Sequence, residues 1–132
     1  MNTAYRVWDG KQMHYSFDDE LTMIIEPSGA WEVKRNGIKG ETVAHSHDGK
    51  SVLMWGTDQK GIYDGDVVLR GETMIGNPHG SEVLVGVVSM LEGQWCLVNT
   101  KTQETRPLFS ETARNTVIGD GFYNPELLEA AE

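Results

Sequence analysis

The sequence predicts a mostly-β protein, and three observations carry that expectation. Glycine occurs 15 times in 132 residues, more than average usage gives for this length. Asp-Gly or Asn-Gly pairs stand at 9–10, 36–37, 48–49, 64–65 and 120–121, and such pairs accept the positive φ of tight hairpin turns. Between them lie short runs rich in Val, Ile, Tyr and Trp. Apolar residues make up 39% of the chain, enough for a core without disulfide staples.

The elements follow in order. Ala4-Tyr5-Arg6-Val7-Trp8 alternates as a strand, Asp9-Gly10 turns it, and residues 12–15 return antiparallel. Asp18-Asp19-Glu20 has no spaced partners and no glycine at a loop apex, so it reads as an exposed loop rather than a hard-cation site. Residues 21–26 form a strand stopped by Pro27-Ser28-Gly29, residues 30–35 form the next, and Asn36-Gly37 predicts a hairpin whose return arm is 38–43. Residues 51–55 are a further apolar strand. Gly61-Ile62-Tyr63-Asp64-Gly65-Asp66-Val67-Val68 reads as a turn launching a strand, with Tyr63, Val67 and Val68 in the core and Gly65 at positive φ or a close approach.

Beyond Arg70-Gly71-Glu72, the turn-rich stretch ending in Gly76-Asn77-Pro78-His79-Gly80 is expected to be a mobile loop. Residues 83–91 and 94–99 flank Glu92-Gly93 as a long hairpin. Residues 100–104 form a second polar loop before Arg106-Pro107-Leu108-Phe109, and residues 116–119 form a last strand. Residues 124–130 predict a short helix, with Asn124 as N-cap, Pro125 at the first helical position and Glu126 at the positive end of the dipole. The expected organisation is one domain: an N-terminal β part at about 1–58, a second β part at about 61–119, and a C-terminal turn and helix at about 120–132.

Composition narrows the function classes. Twenty acidic against eleven basic residues give a net charge of −9, which disfavours nucleic acid, whose binders usually carry a basic field. The acids are dispersed from Asp9 to Glu132, so a dense DNA-mimicking face is not expected either. Lys34, Arg35 and Lys39 form a local basic concentration at the Asn36-Gly37 turn and read as solvated. A single cysteine, Cys96, excludes an internal disulfide and, inside an apolar run, reads as a buried inert thiol. No apolar run approaches membrane-spanning length and no secretory leader is apparent, so a soluble protein of the reducing cytoplasm is expected.

His45-Ser46-His47-Asp48 is the tetrad with most chemical potential. In a strand, residues two apart face one side, so both imidazoles could approach one metal with Asp48 beside them. A metal centre needs further ligands and a supporting shell, His14 and His79 cannot be placed, and Asp48-Gly49 is itself a turn signal. A polar loop is therefore the preferred reading, with His45, His47 and Asp48 kept as the metal candidates. Asp64 and Asp66 read as turn carboxylates. The sequence holds no phosphate-binding loop, dinucleotide fingerprint, Ser/His/Asp signature or zinc knuckle, so no catalytic residue and no cofactor are expected.

Three segments in order resemble the YopX family of phage and prophage proteins. Tyr5-Arg6-Val7-Trp8-Asp9 with Lys11 and Met13 is similar to its opening F/Y-R-A-W-D…K-x-M. Leu53-Met54 followed by Gly61-Ile62-Tyr63-Asp64-Gly65-Asp66-Val67-Val68 is similar to L-M-Q-Y-T-G…I-Y-E-G-D-I-V. Val117-Ile118-Gly119 with Asn124-Pro125-Glu126-Leu127-Leu128 is similar to V-I-G-N-I-Y-E-N-P-E-L-L. The chain departs at Trp55-Gly56-Thr57-Asp58-Gln59-Lys60, a shorter linker, and at Asp120-Gly121-Phe122-Tyr123. The resemblance implies a mostly-β, phage-associated protein with an SH3-like barrel element in its C-terminal half, acting in the bacterial host cell. It carries over no catalytic residues. The leading expectation is a non-enzymatic binding module for a host or phage protein or a nucleic acid, with no membrane partner. An oligomer-forming structural component comes second and a metal-dependent enzyme a distant third.

Overall fold

The alternating runs become eleven strands in a computed structural model, which describes residues 4–18, 20–37, 40–73, 81–110 and 113–127. The chain divides into two compact units, Met1–Gly56 and Thr57–Glu132. The expected mobile loop at 76–80, and with it His79, lies outside the described residues, as do Asp19, Lys39 and the end of the expected helix.

The first unit holds β1 (Tyr5–Trp8), β2 (Met13–Tyr15), β3 (Leu21–Ile25), β4 (Trp31–Arg35), β5 (Thr42–His45) and β6 (Val52–Trp55). They form two three-stranded antiparallel sheets in the orders β2-β1-β6 and β3-β4-β5. Tyr5 and Val7 from the first sheet and Val33 and Ala44 from the second make one core, to which Leu21, Met23, Trp31, Val43 and Leu53 add. The Pro27-Ser28-Gly29 stop joins the two expected strands as a hairpin, with Glu26 N–H donating to Ala30 O at 2.8 Å and Ile25 opposite Trp31.

Strands β4 and β5 pair across the Asn36-Gly37 connection; of the expected return arm at 38–43, residues 38 and 39 lie outside the described residues and β5 starts at Thr42. Arg35 N–H donates to Glu41 O at 2.8 Å, just ahead of β5. Gly40 sits at φ +52, a conformation glycine accepts without strain. A bulge between Val33 and Lys34 then resets the register.

The second unit holds β7 (Asp66–Thr73), β8 (Ser81–Leu91), β9 (Gln94–Asn99), β10 (Glu104–Pro107) and β11 (Ala113–Asp120). They make one antiparallel sheet in the order β10-β9-β8-β7-β11, a four-strand meander with the last strand returned beside the first. Ile62, Val68, Val88, Leu97 and Leu108 form its core, with Trp95 packed against them. Strand β10 was not expected; Pro107 ends it, and proline is tolerated here because β10 is a sheet edge.

The stretch before β7 is a turn, as expected. Asp66 N–H donates to Tyr63 O at 3.0 Å and Gly65 sits at φ +88, the third position of a type II turn. The Asp66 carboxylate accepts from Tyr63 N–H at 2.8 Å, and Gly65 N–H donates to Val88 O on β8 at 2.9 Å. Ahead of it, the fully buried Thr57 hydroxyl donates toward the carbonyls of Gln59 and Ile62 and accepts from Gln59 N–H. The short linker is thus closed on a single side chain.

Backbone pairing leaves β10 and β11 as the two edges of this sheet, and side chains join them. Arg70 on β7 is 2% exposed. Its Nη1 donates to Pro107 O at 2.7 Å, Nη2 to Leu108 O, and Nε to Asn115 Oδ1 at 2.9 Å. Asn115 Nδ2, on β11, donates to Leu108 O at 3.0 Å. After β11 the Asp120 carboxylate accepts from Phe122 and Tyr123 N–H, both at 2.9 Å, and a first helical turn follows at 125–127. Gly119 lies at a β-bulge under that turn, where a Cβ would meet Leu127 Cδ1 at 2.6 Å and collide with Asn124 Oδ1. Among the described residues no helix is long and apolar enough to cross a membrane.

Candidate functional site

Pairing register decides which side chains share the outer face of the β3-β4-β5 sheet. Val33 faces Ala44 in the core, so the alternate residues point the other way. Ile24 lies opposite Glu32 and Glu32 opposite His45, one row across all three strands. The next row is Thr22, Lys34 and Thr42, and Thr42 Oγ1 donates to Glu32 Oε1 at 2.8 Å. Lys34 Nζ stands 3.8 Å from that same oxygen, an exposed pairing that screening keeps weak.

Where the first row meets the Pro27-Ser28-Gly29 turn there is an open groove of roughly 310 Å³, lined by Ile24, Glu26, Ala30, Trp31, Glu32, His45 and His47. Ile24 and Ala30 on the outer face give it apolar surface, and Trp31 also lines it while packing against the core on the Val33 side; its polar residues are Glu26, Glu32, His45 and His47. The tetrad therefore behaves in two ways. His45 closes β5 and His47 sits in the following turn, and both reach the groove. His47 N–H donates to His45 Nδ1 at 3.2 Å, so the neutral ring carries its hydrogen on Nε2 and offers a donor there rather than a metal-binding lone pair.

Asp48 is turned to another task. Its carboxylate accepts from Ser51 Oγ, from Ser51 N–H at 2.7 Å, from Lys50 N–H at 3.0 Å and from His45 N–H at 3.4 Å. The Ser51 hydroxyl foremost, then the backbone donors, hold this carboxyl well below the usual carboxylate range, against the opposing pull of desolvation. Among the described residues no three His, Cys, Asp or Glu side chains gather in a metal-binding arrangement.

Since the folded Asp48 titrates below its unfolded value, its stabilisation is complete above the unfolded pKa of about 3.9 and is lost as pH falls through the folded one. Asp48→Asn is accordingly expected to destabilise the 45–51 loop at pH 7 and to cost progressively less below about pH 4. Amide exchange of Lys50 and Ser51 in both proteins across that range checks this; a penalty independent of pH would contradict it.

Asp9, in the same unit, also serves a turn. Asp9 Oδ1 accepts from Lys11 and Gln12 N–H, each at 2.8 Å, and Oδ2 lies 2.8 Å from Nε2 of the buried His14. Burial pushes the Asp9 carboxyl up, but the His14 hydrogen bond and the two backbone donors outweigh it, leaving the pKa lowered. His14, unplaced in the sequence, is thus a buried turn partner of Asp9. Cys96 is 2% exposed on β9. The sequence reading missed Glu26, Trp31 and Glu32 as groove residues. A signal existed for two of them, because a hairpin centred on Ser28 sets Ile24 against Glu32 and leaves Glu26 on the same face. The third strand depends on a bulge that no local pattern announces.

Fold and site together define a class: a small antiparallel β protein with turns held by hydrogen-bonded carboxylates and an open groove on one sheet lined by Glu26, Glu32, His45 and His47. The YopX protein family model matches residues 4–129, and the chain belongs to that family. It is 36% identical to the SPbeta prophage-derived uncharacterized protein YopX of Bacillus subtilis (strain 168), the match covering all of both chains. The crystal structure of protein YopX from Bacillus subtilis superposes with a TM-score of 0.77 at 37% identity, over 97% of this chain and 99% of the other.

Proposed function

We propose that this chain is a non-enzymatic binding module of prophage origin that works in the bacterial cytoplasm and engages a host or phage protein through the β3-β4-β5 groove. One observation carries the reading. Asp9, Asp48, Asp66 and Asp120, the carboxylates best placed for chemistry, are each committed to backbone N–H groups of their own turns. Of the groove carboxylates, Glu26 is instead exposed beside Ile24, and the half-buried Glu32 holds no turn, meeting the Thr42 hydroxyl and, at 3.8 Å, the Lys34 ammonium. The prophage origin of the Bacillus relative supports the setting. In the second unit, a last strand returned beside the first and a clasp between the two edges support an SH3-like barrel element, a scaffold whose functions are set by its sites. Two groove carboxylates and a net charge of −9 favour protein over nucleic acid.

Affinity capture from host lysate tests it, using the wild type beside an Ile24→Glu/Glu32→Lys double variant. Both substitutions are on the outer face, so folding is expected to survive them. Capture of a defined protein by the wild type and its loss with the variant is the expected result. Equal capture by both proteins, or capture of nucleic acid alone, overturns the reading.

A further inference from the structure

The groove ends at a strand edge, and the edge has the features of a docking rail. In the order β3-β4-β5, β3 pairs on one side with β4, and among the described residues no strand pairs with its other side. Two hydrogen bonds fix which backbone groups face that side. Asn36 N–H donates to Glu20 O and Glu26 N–H donates to Ala30 O, so residues 20, 22, 24 and 26 turn their backbone polar groups toward β4. Leu21, Met23 and Ile25 turn theirs the opposite way.

An exposed edge is normally blunted by lysine, proline or a bulge. Strand β3, Leu-Thr-Met-Ile-Ile, has none of these, and its register with β4 is unbroken. Ile24 is 46% exposed and Ile25 57%. Its face is equally specific. Residues 22, 24 and 26 share the outer side, so Glu26 lies beside Ile24 along the strand while Glu32 lies beside it across the sheet.

We infer that β3 accepts an extended segment of a partner protein as a fourth strand, and that this segment carries a lysine or arginine on the face it shares with the groove. This rests on the binding-module reading above. Strand addition supplies main-chain hydrogen bonds and leaves selection to alternate side chains. A residue of the added strand set beside Ile24 stands two strand spacings, about 10 Å, from β4. A long basic side chain lies flat over Ile24, its methylenes covering the exposed isoleucine, and brings its charge between Glu26 and Glu32. The alternate side chains of the segment fall on the other face next to Ile25 and are apolar.

A second copy of this chain fits poorly. With Met23 opposite its own copy in antiparallel pairing, Glu20 would face Glu26 at both ends, and like charges directly opposite repel. The chain's net charge of −9 adds to that repulsion.

The test is a titration of the full chain with a blocked decapeptide of alternating lysine and valine, followed by amide shifts. Saturable shifts confined to residues 21–26, 30–32 and 45–47 are expected. Three controls decide the mechanism. A glutamate–valine peptide should bind about tenfold or more weakly, and the Glu26→Gln/Glu32→Gln variant should lose about tenfold, as two partly exposed charge contacts predict. A peptide N-methylated at alternate residues should not bind, because it cannot donate to an edge.

Equal binding of the glutamate peptide, indifference to N-methylation or to the variant, or shifts elsewhere would overturn the inference. So would a dimer by light scattering whose Met23 and Ile25 amides are protected from exchange. Loss of the lysine peptide alone, with variant-sensitive capture intact, removes this ligand class and leaves the binding module standing; loss of both removes both.

Discussion

Replacing Arg70 with methionine is expected to destabilise the second unit by about 3–5 kcal/mol, the range for breaking a buried charged hydrogen-bond network. Methionine keeps most of the stem volume, so the loss is not one of packing. It strips the donors from Pro107 O and Asn115 Oδ1, and removes one of two donors from Leu108 O. These acceptors sit around a side chain that is 2% exposed, where water is a poor substitute. Arg70→Lys should recover less than half of the loss, because one ammonium cannot reach three acceptors spread around a planar fork. Denaturant unfolding read through exchange of the β7, β9 and β11 amides measures both variants. A loss below about 1 kcal/mol, no more than one ordinary hydrogen bond, would show that the backbone ladder alone holds the edges together.

The second large effect is at the Asp-Gly-Asp turn. Gly65→Val should cost about 3 kcal/mol, since a β-branched residue is strained at φ +88 and the turn cannot relax without breaking the Gly65 N–H to Val88 O bond. Asp66→Ala should cost about 2 kcal/mol, from the Tyr63 N–H left without its acceptor beside a side chain 2% exposed. Asp64→Asn should stay within about 0.5 kcal/mol, since the amide keeps the side chain's size and an acceptor oxygen and leaves the Asp66 to Tyr63 bond untouched. Thermal unfolding of the three variants separates them, and similar midpoints for Gly65→Val and Asp64→Asn would refute this account.

The pair Asp64 and Asp66 also shows how far the sequence could be read. That Asp-Gly-Asp before Val67-Val68 makes a turn follows from residue chemistry alone. Which aspartate holds the turn does not, because it depends on one carboxylate folding back to Tyr63 N–H. Hairpins with compact turns, at Asp9-Gly10, at Ser28 and at Glu92-Gly93, were legible for the same reason. At Asn36-Gly37 the local signal announced that the chain returns, but not the bulge that sets the register of β4 with β5. Strand β10 was hidden behind Pro107, whose cost at a sheet edge is small. For the site, His45 and His47 were found because they are chemically conspicuous. Glu26 and Glu32 become notable only when three strands are set in register, and register across a bulge is a tertiary fact.

The Arg70 clasp has a consequence for the order of events in folding. It links β7 to positions 37, 38 and 45 residues further along the chain. Contacts of such separation bear the loop-closure entropy of everything between them, so they form after the β7-β8-β9 meander rather than before it. The clasp therefore acts as a latch set late, absent from the transition state. Its removal should leave the refolding rate nearly unchanged and appear almost wholly as faster unfolding, the pattern of a low-φ position in a chevron. Arg70 would then govern how long the second unit stays folded, while the hairpins on either side govern how quickly it gets there.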